Sequence, residues 1–367
     1  MTTPRRRSAG RPTLDEVAAR AGVGRGTVSR VVNGSPQVSP EAKAAVEQAI
    51  EELGYVPNRA ARALVTQRTD SVALVVSESE ARVFGEPFFA GIIRGISSFL
   101  LATPLQLWLA MAQSPPERER VNQHLTRQHV DGVMLLSLHD DDTLPVRLRE
   151  RGLPAVLGGR PAGMLAPNAV PVSFVDVDNA GGARLAVSHL AGQGRRQIAV
   201  IAGPQDMGVG VGRLGGYRNA IVEAGLPADE RLIGYGDFSE ESGAAAMRAL
   251  LAARPGIDAV FAASDLMAVG AMRVLKEMGR KIPTDVAVVG FEDSVLAKQT
   301  DPPLTTVHQP VRRLAAEALG LLVAEIAAAS PSGKFSDRVL PHEIVQRQST
   351  APAETGNLGD GGVIPRA

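Results

Sequence analysis

From Ser71 onward, short β-branched and aliphatic runs alternate with helical stretches, and this alternation constrains the fold more than any other feature of the chain. Strands are expected over residues 72–76, 105–109, 132–136 and 155–157, with helices opening at Pro87, Pro116, Asp142 and, after Asp178, at Ala180. A second series starts at Ile198, where strands over 198–201, 232–234, 259–262 and 286–290 alternate with helices over 214–224, 240–254 and 264–278. Strands that each return through a helix build a parallel sheet covered on both faces. Two series therefore predict an α/β body of two doubly wound parallel-sheet lobes. Such sheets take ligands at the carboxyl ends of their strands, so a small molecule is expected in the cleft between the lobes.

The first 64 residues follow a different period. Thr13-Leu14-Asp15-Glu16 is a capping box that opens a helix through Ala21, and Gly22 supplies the turn. A second helix over 24–32 has Val28, Val31 and Val32 to bury, with Arg25, Thr27, Ser29 and Arg30 outward, and Asn33-Gly34 closes it. Two helices around a glycine turn make a helix-turn-helix, whose second helix can enter the major groove of DNA. Ser39 and Pro40 open a third helix carrying Ala42, Val46, Ala49, Ile50 and Leu53 at helical spacing, and Gly54 ends it. After the extended Tyr55-Val56-Pro57, Asn58 can cap a short helix over 59–64, too short to stand without support. The charge agrees with this division. Ten basic against six acidic residues up to Leu64 leave the head at +4, and the body carries the opposite charge in a chain whose formal charges cancel. A basic head on an acidic body points to a polyanion partner for the head alone.

Several other functions find no support. No apolar run approaches a membrane span, and Pro12 with the polar segment after it follows Arg5-Arg6-Arg7 where a secretion signal needs apolar residues. A cytoplasmic protein with no membrane association is expected. The lack of cysteine excludes disulfides, thiolate metal sites and cysteine nucleophiles. His124 and His129 are five residues apart, the wrong spacing for metal ligands on one helix face, and are read as surface histidines. The run Gly208-Val209-Gly210-Val211-Gly212-Arg213 resembles a dinucleotide fingerprint but lacks its last glycine, and no P-loop or G-x-S-x-G elbow is present. No enzyme activity, metal or cofactor is therefore expected. The alternative is a sugar-binding or doubly wound enzyme-like protein without a regulatory role. Trp108, the sole tryptophan, sits on an expected strand and is read as core.

The segment 12–64, "PTLDEVAARAGVGRGTVSRVVNGSPQVSPEAKAAVEQAIEELGYVPNRAARAL", with "TVSRVVN" followed by "GYVPN", closely resembles the DNA-binding head and hinge of the lactose repressor family of bacterial regulators. The resemblance implies a sequence-specific transcriptional repressor. It places Arg25, Gly26, Thr27 and Arg30 on the groove-facing part of the recognition helix, Ser29 and Asn33 near bases or phosphates, and Thr13, Ser39, Tyr55 and Asn58 on phosphates. Gly24 and Gly26 depart from relatives with polar side chains there, which puts base reading on Arg25, whose bidentate bond to guanine discriminates by about 1–3 kcal/mol. The helix over 59–64 resembles the family's hinge helix. In it Arg59, Ala61 and Leu64 would meet DNA, with Leu64 wedged into a minor-groove base step.

The body is similar to the same family and, through it, to periplasmic sugar-binding proteins. The matching pieces are "HLAGQGRRQIAVIAGP", "GRLGGY", "ASDLMAVGAM", "IPTDVAVVGFEDS" and "PPLTTVHQP". The implied organisation is a basic tail over 1–12, the helix-turn-helix domain over 13–57, hinge helix and linker over 58–68, and an effector-binding and dimerisation domain over 69–350. Within that domain lobe one takes 69–194 and 308–330, and lobe two takes 195–307 and 331–350. A disordered tail over 351–367 is expected from its Gly, Pro and Ala content. The resemblance lines the cleft with Phe88 and Ser137 from lobe one and Arg213, Phe238, Asp265 and Phe291 from lobe two, a set suited to a polyol. Met207 and Val209 replace polar ligand contacts of the purine repressor, which argues against a purine. The resemblance implies a homodimer on a palindromic operator, switched by a sugar or oligosaccharide such as a glucose disaccharide, with induction expected and corepression, as in the purine branch, the alternative.

Overall fold

The computed structural model describes residues 12–56, 68–165, 172–328 and 335–350. They fall into two compact units, one over residues 1–69 with 127–130 and a larger one over the rest. The basic residues 1–11, the hinge-helix residues Asn58, Arg59, Ala61 and Leu64, and the tail from 351 lie outside the described residues.

The small unit is built from α1 (Leu14–Ala21), α2 (Arg25–Val32) and α3 (Pro40–Leu53). The Thr13 hydroxyl accepts the Glu16 N–H at 3.3 Å while the Glu16 carboxylate accepts the Thr13 N–H at 2.8 Å, so two of the free donors of α1 are satisfied at once. Gly22, at φ 66°, ends α1 in the left-handed conformation that a tight turn into α2 requires. Ser39 caps α3 through the Ala42 N–H at 3.3 Å, with Pro40 in the first turn. Val17, Ala18, Val28, Val46, Ala49 and Tyr55 form the core on which the three helices close.

In the large unit the first sheet has the order β11-β5-β4-β3-β1-β2: β1 (Ser71–Val76), β2 (Gln106–Met111), β3 (Gly132–Leu136), β4 (Ala155–Gly158), β5 (Ser173–Val177) and β11 (Asp337–Leu340), all parallel. The second has the order β12-β10-β9-β8-β6-β7: β6 (Ile198–Ala202), β7 (Ile233–Tyr235), β8 (Ala259–Ala262), β9 (Ala287–Glu292), β10 (Thr305–His308) and β12 (Glu343–Val345). Only β12 runs antiparallel, against β10. Central strands β3, β6 and β8 are buried along their whole length, which is why they read as continuous apolar runs rather than alternating ones.

The helices are α4 (Glu80–Gly85), α5 (Pro87–Leu100), α6 (Pro115–His124), α7 (Leu144–Glu150), α8 (Asn179–Gly192), α9 (Gly208–Glu223), α10 (Glu240–Ala253), α11 (Asp265–Glu277) and α12 (Val311–Ala327). Two lobe boundaries differ from expectation. Helix α8 packs Ala183, Ala186, Val187 and Leu190 into the core of the second sheet, so the first crossing falls after β5 rather than near Gly194. Strand β11 pairs with β5 of the first sheet, so the last crossing falls between Leu340 and Glu343 rather than near Ser330. The middle crossing follows β10, because α12 buries Leu314, Ala318, Leu319 and Leu322 on the first sheet.

Helix α9 starts at Gly208, a turn and a half earlier than expected. A methyl group on Gly208 would overlap the Arg160 carbonyl oxygen, and one on Gly210 the Pro204 carbonyl oxygen. The glycine run therefore serves close backbone approach at the start of a helix, and no phosphate-binding turn is needed to explain it. Among the described residues no helix is long and apolar enough to cross a membrane, and no group of three or more His, Asp or Glu could hold a metal ion.

Candidate functional site

The outward edge of α2 carries Arg25, Gly26 and Arg30, all exposed, with Asn33 exposed at its C-terminal end and Thr27 and Ser29 half-buried. Asn33 Nδ2 donates to Ser29 Oγ at 3.3 Å. The Arg25 guanidinium lies 3.6 Å from the Asp15 carboxylate of α1, an exposed pair weak enough to exchange for a base or phosphate. A side chain on Gly24 or Gly26 would meet nothing within 4 Å, so packing does not demand these glycines; they leave the start of α2 bare beside Arg25. Thr13 and Ser39 are exposed, and their hydroxyls already cap α1 and α3. Tyr55 differs from both. Its side chain is buried in the core with Val17 and Val46, so packing holds the ring in place.

In the body, the segments after β1, β3, β4, β5, β7 and β10, the end of β9 and the start of α9 converge on one cleft with about 710 Å³ of atom-free space, its open mouth included. Of the six residues expected here, Phe88, Ser137, Arg213 and Phe238 line it.

Arg213 organises one wall. Only 2% exposed, it donates from Nε to Asn179 Oδ1 at 3.0 Å and from its terminal nitrogens to the Ala263 carbonyl at 2.5 Å and Gln309 Oε1 at 3.2 Å. Asn179 in turn donates to Asp176 Oδ1 at 3.1 Å, and Asp176 Oδ2 accepts from Arg160 Nε at 3.1 Å. Arg160, Asp176, Asn179, Arg213 and Gln309 thus form a hydrogen-bonded belt along the cleft. Burial lowers the Arg213 pKa to about 10, against the opposing pull of Glu292, Asp176 and Asp265, so the guanidinium remains charged at neutral pH. Glu292 faces the same space, and burial followed by repulsion from Asp265 pushes its carboxyl well above the usual range despite Arg213. A neutral carboxyl there donates a hydrogen bond as well as accepting one.

Apolar surface faces the belt. Phe88, Phe89, Leu136, Leu138, Val177, Met207, Val209, Phe238 and Leu314 belong to the lining. The backbone is strained where these walls meet, with Ser137 at φ 59°, Phe238 at φ 73°, Glu292 at φ 114° and Asp293 at φ 55°. Side chains rarely adopt that region, and such strain concentrates where structure is built around a ligand. The Phe238 ring lies against Gly203, where any side chain would collide with it.

Asp265 and Phe291 do not line the cleft. Asp265 is fully buried, accepting the Thr306 hydroxyl at 2.6 Å and the Ser294 N–H at 2.7 Å. Phe291 lies beneath the Arg213 guanidinium, 3.6 Å from ring centroid to the central carbon, and meets His342 edge-on at 4.9 Å. Phe291 thus supports the belt by stacking on Arg213, whereas Asp265 is held inside the second lobe by Thr306 and the Ser294 N–H. The polar lining residues missed from the sequence, Arg82, Glu86, Arg160, Asp176, Asn179, Glu292 and Gln309, come from the last residues of strands and from the segments and helix starts that follow them. The one sequence signal for them was place: polar residues directly after an apolar run. Trp108 and His124 lie elsewhere, their rings stacked at 4.6 Å.

Comparison with known proteins matches residues 13–58 to the family model "Bacterial regulatory proteins, lacI family" and residues 187–350 to a periplasmic binding protein-like domain. The HTH-type transcriptional regulator CelR of Thermobifida fusca is 57% identical over 316 residues, 86% of this chain and 92% of that protein. The HTH-type transcriptional repressor PurR of Erwinia tasmaniensis is 35% identical over 92% of this chain and 97% of its own length. Among solved structures, a transcriptional regulator CelR–cellobiose complex superposes with a TM-score of 0.72 at 52% identity, covering 92% of this chain and all of that one. The lac repressor dimer bound to operator and the anti-inducer ONPF superposes with a TM-score of 0.77 at 28% identity over 93% and 99% of the two chains.

Proposed function

This chain belongs to the lacI family of bacterial regulatory proteins, as a DNA-binding transcriptional repressor under effector control, and from that premise we propose that its effector is a β-linked glucose disaccharide of the cellobiose type. The observation that carries this reading is the cleft itself. A belt of five hydrogen-bonded polar side chains faces apolar and aromatic walls, as a ring with hydroxyls at its edge and C–H groups on its faces requires. Met207 and Val209 put apolar atoms in the lining at places where a purine would need polar partners. The complex of CelR, 52% identical, with cellobiose adds a relative in which this sugar is the ligand.

Two copies bind a palindromic operator in the cytoplasm, each α2 entering one major-groove half-site, with Arg25 reading base edges and Arg30 contributing charge. Asn58 contacts a phosphate while Arg59, Ala61 and Leu64 of the hinge meet the minor groove, and sugar binding releases the operator. The enzyme-like alternative is set aside by family membership.

Titration calorimetry with cellobiose, glucose and hypoxanthine, followed by operator retention on a genomic promoter library with and without each compound, tests this reading. Saturable cellobiose binding that lowers operator retention is expected. Binding of hypoxanthine instead, or retention that rises with cellobiose, overturns the assignment of effector or of sign.

A further inference from the structure

Two cationic side chains of lobe one reach lobe two away from the polar belt. Arg82, on α4, holds its guanidinium 5.3 Å from the centroid of the Phe238 ring, which follows β7. His139, in the loop after β3, bonds Asp206 of the loop after β6 through Nδ1 at 2.7 Å, beside a backbone bond from Asp140 N–H to the Asp206 carbonyl at 3.0 Å. One carboxylate braces both. Glu78, 5% exposed, accepts from an Arg82 terminal nitrogen at 2.5 Å and from the Ser137 hydroxyl at 2.7 Å, and lies 3.5 Å from His139 Nε2.

We propose that Glu78, Arg82 and His139 form a clasp that sets how firmly lobe one closes on lobe two, with Phe238 and Asp206 as its receivers. The inference rests on the reading of the cleft as the effector site. Glu78, His139 and Asp206 are not among the residues lining that cleft, so they are positioning residues that act through lobe geometry rather than on the ligand. The charges favour the arrangement. Burial opposes ionisation of Glu78, but His139, Arg82 and Ser137 outweigh it and hold the carboxyl below its ordinary range. The bond to Glu78 and then that to Asp206 raise His139 to about 9 against its own desolvation, so it is cationic at neutral pH. The His139–Asp206 contact is partly open to water, with side chains 25% and 56% exposed. A pair that is only partly dry is weak enough to break during an opening motion, yet any interaction present in one state alone shifts the balance between open and closed.

The chain contains no cysteine, so Arg120→Cys on α6 and Ala249→Cys on α10, one exposed site on each lobe, carry the only two spin labels. In sugar-free protein, Asp206→Asn and His139→Gln are expected to move the interlobe distance distribution to longer values. In stopped-flow measurements with cellobiose, the same variants are expected to dissociate roughly five- to tenfold faster than the parent. Melting temperatures check that each variant is folded, and Asp206 is exposed enough for its exchange to be benign. Unchanged distances in both variants overturn the clasp, and so does faster dissociation with unchanged distances, because the residues would then act on the sugar. If the labelled parent binds no cellobiose, the effector assignment fails, while the sugar-free distances still decide the clasp.

Discussion

At the scale of single residues, Arg213 and His139 show how hydrogen-bonded partners turn ordinary side chains into determinants. Arg213 satisfies three acceptors on three separate segments while resting on the Phe291 ring, so truncation removes more than one contact. Arg213→Ala is expected to weaken cellobiose binding about 10- to 100-fold by calorimetry, since the acceptors left behind are buried. Arg213→Lys should fail to rescue it, because one ammonium cannot span that fork. For His139, the folded value of about 9 lies above the ordinary 6.5. Glu78 lies on the same lobe and keeps its share of this elevation when the lobes part, so only the Asp206 share favours closure, and that share is lost as pH rises through about 9. The groups facing it are Glu78 from the segment after β1, with Arg82 behind, Asp206 from lobe two, and Asp141 of its own loop. Interlobe distances measured from pH 6 to 10 should lengthen in the parent and stay level in His139→Gln. The identity of Arg213 was legible because it stands inside a dense motif, "GRLGGY". Arg82, Asp176 and Glu292 were not, because their roles arise only when strand ends and a helix far apart in sequence converge.

Elements were most legible where chemistry punctuates them. Thr13 with Glu16, Gly22, Ser39 with Pro40, and Gly54 each mark a helix end, and each sits at that end in the structure. Ser39→Ala should lower the melting temperature of the head through loss of about 1 kcal/mol, visible by calorimetry on the full chain. Helix α9 shows the reverse. Its first turn reads as a glycine-rich loop because helix propensity penalises glycine, whereas close approach to the 160 and 204 carbonyl groups demands it. Gly210→Ala is expected to destabilise the body by about 1–3 kcal/mol, since a methyl group there meets backbone that cannot step aside. The partner of a helix was equally hidden. The apolar stripe of α8 is plain in the sequence, but nothing local states which sheet receives it.

For the whole molecule, division into two compact units predicts two calorimetric transitions. Only the larger should move with cellobiose, by about 2.7 kcal/mol at a hundredfold excess over the dissociation constant. The two-series reading anticipated the paired sheets, yet β5, β10, β11 and β12 escaped it, the last two because each is short and borrows its partner from a distant part of the chain. That borrowing governs how the protein can be made. The first sheet opens with β1 but is finished by β11, which leaves the ribosome only after β6 through β10 have been synthesised, and β12 then closes the second sheet. Neither lobe can be excised whole by one cut, and a nascent chain halted after α12 carries two unfinished edges, open to chaperones and to other chains, until its final strands emerge.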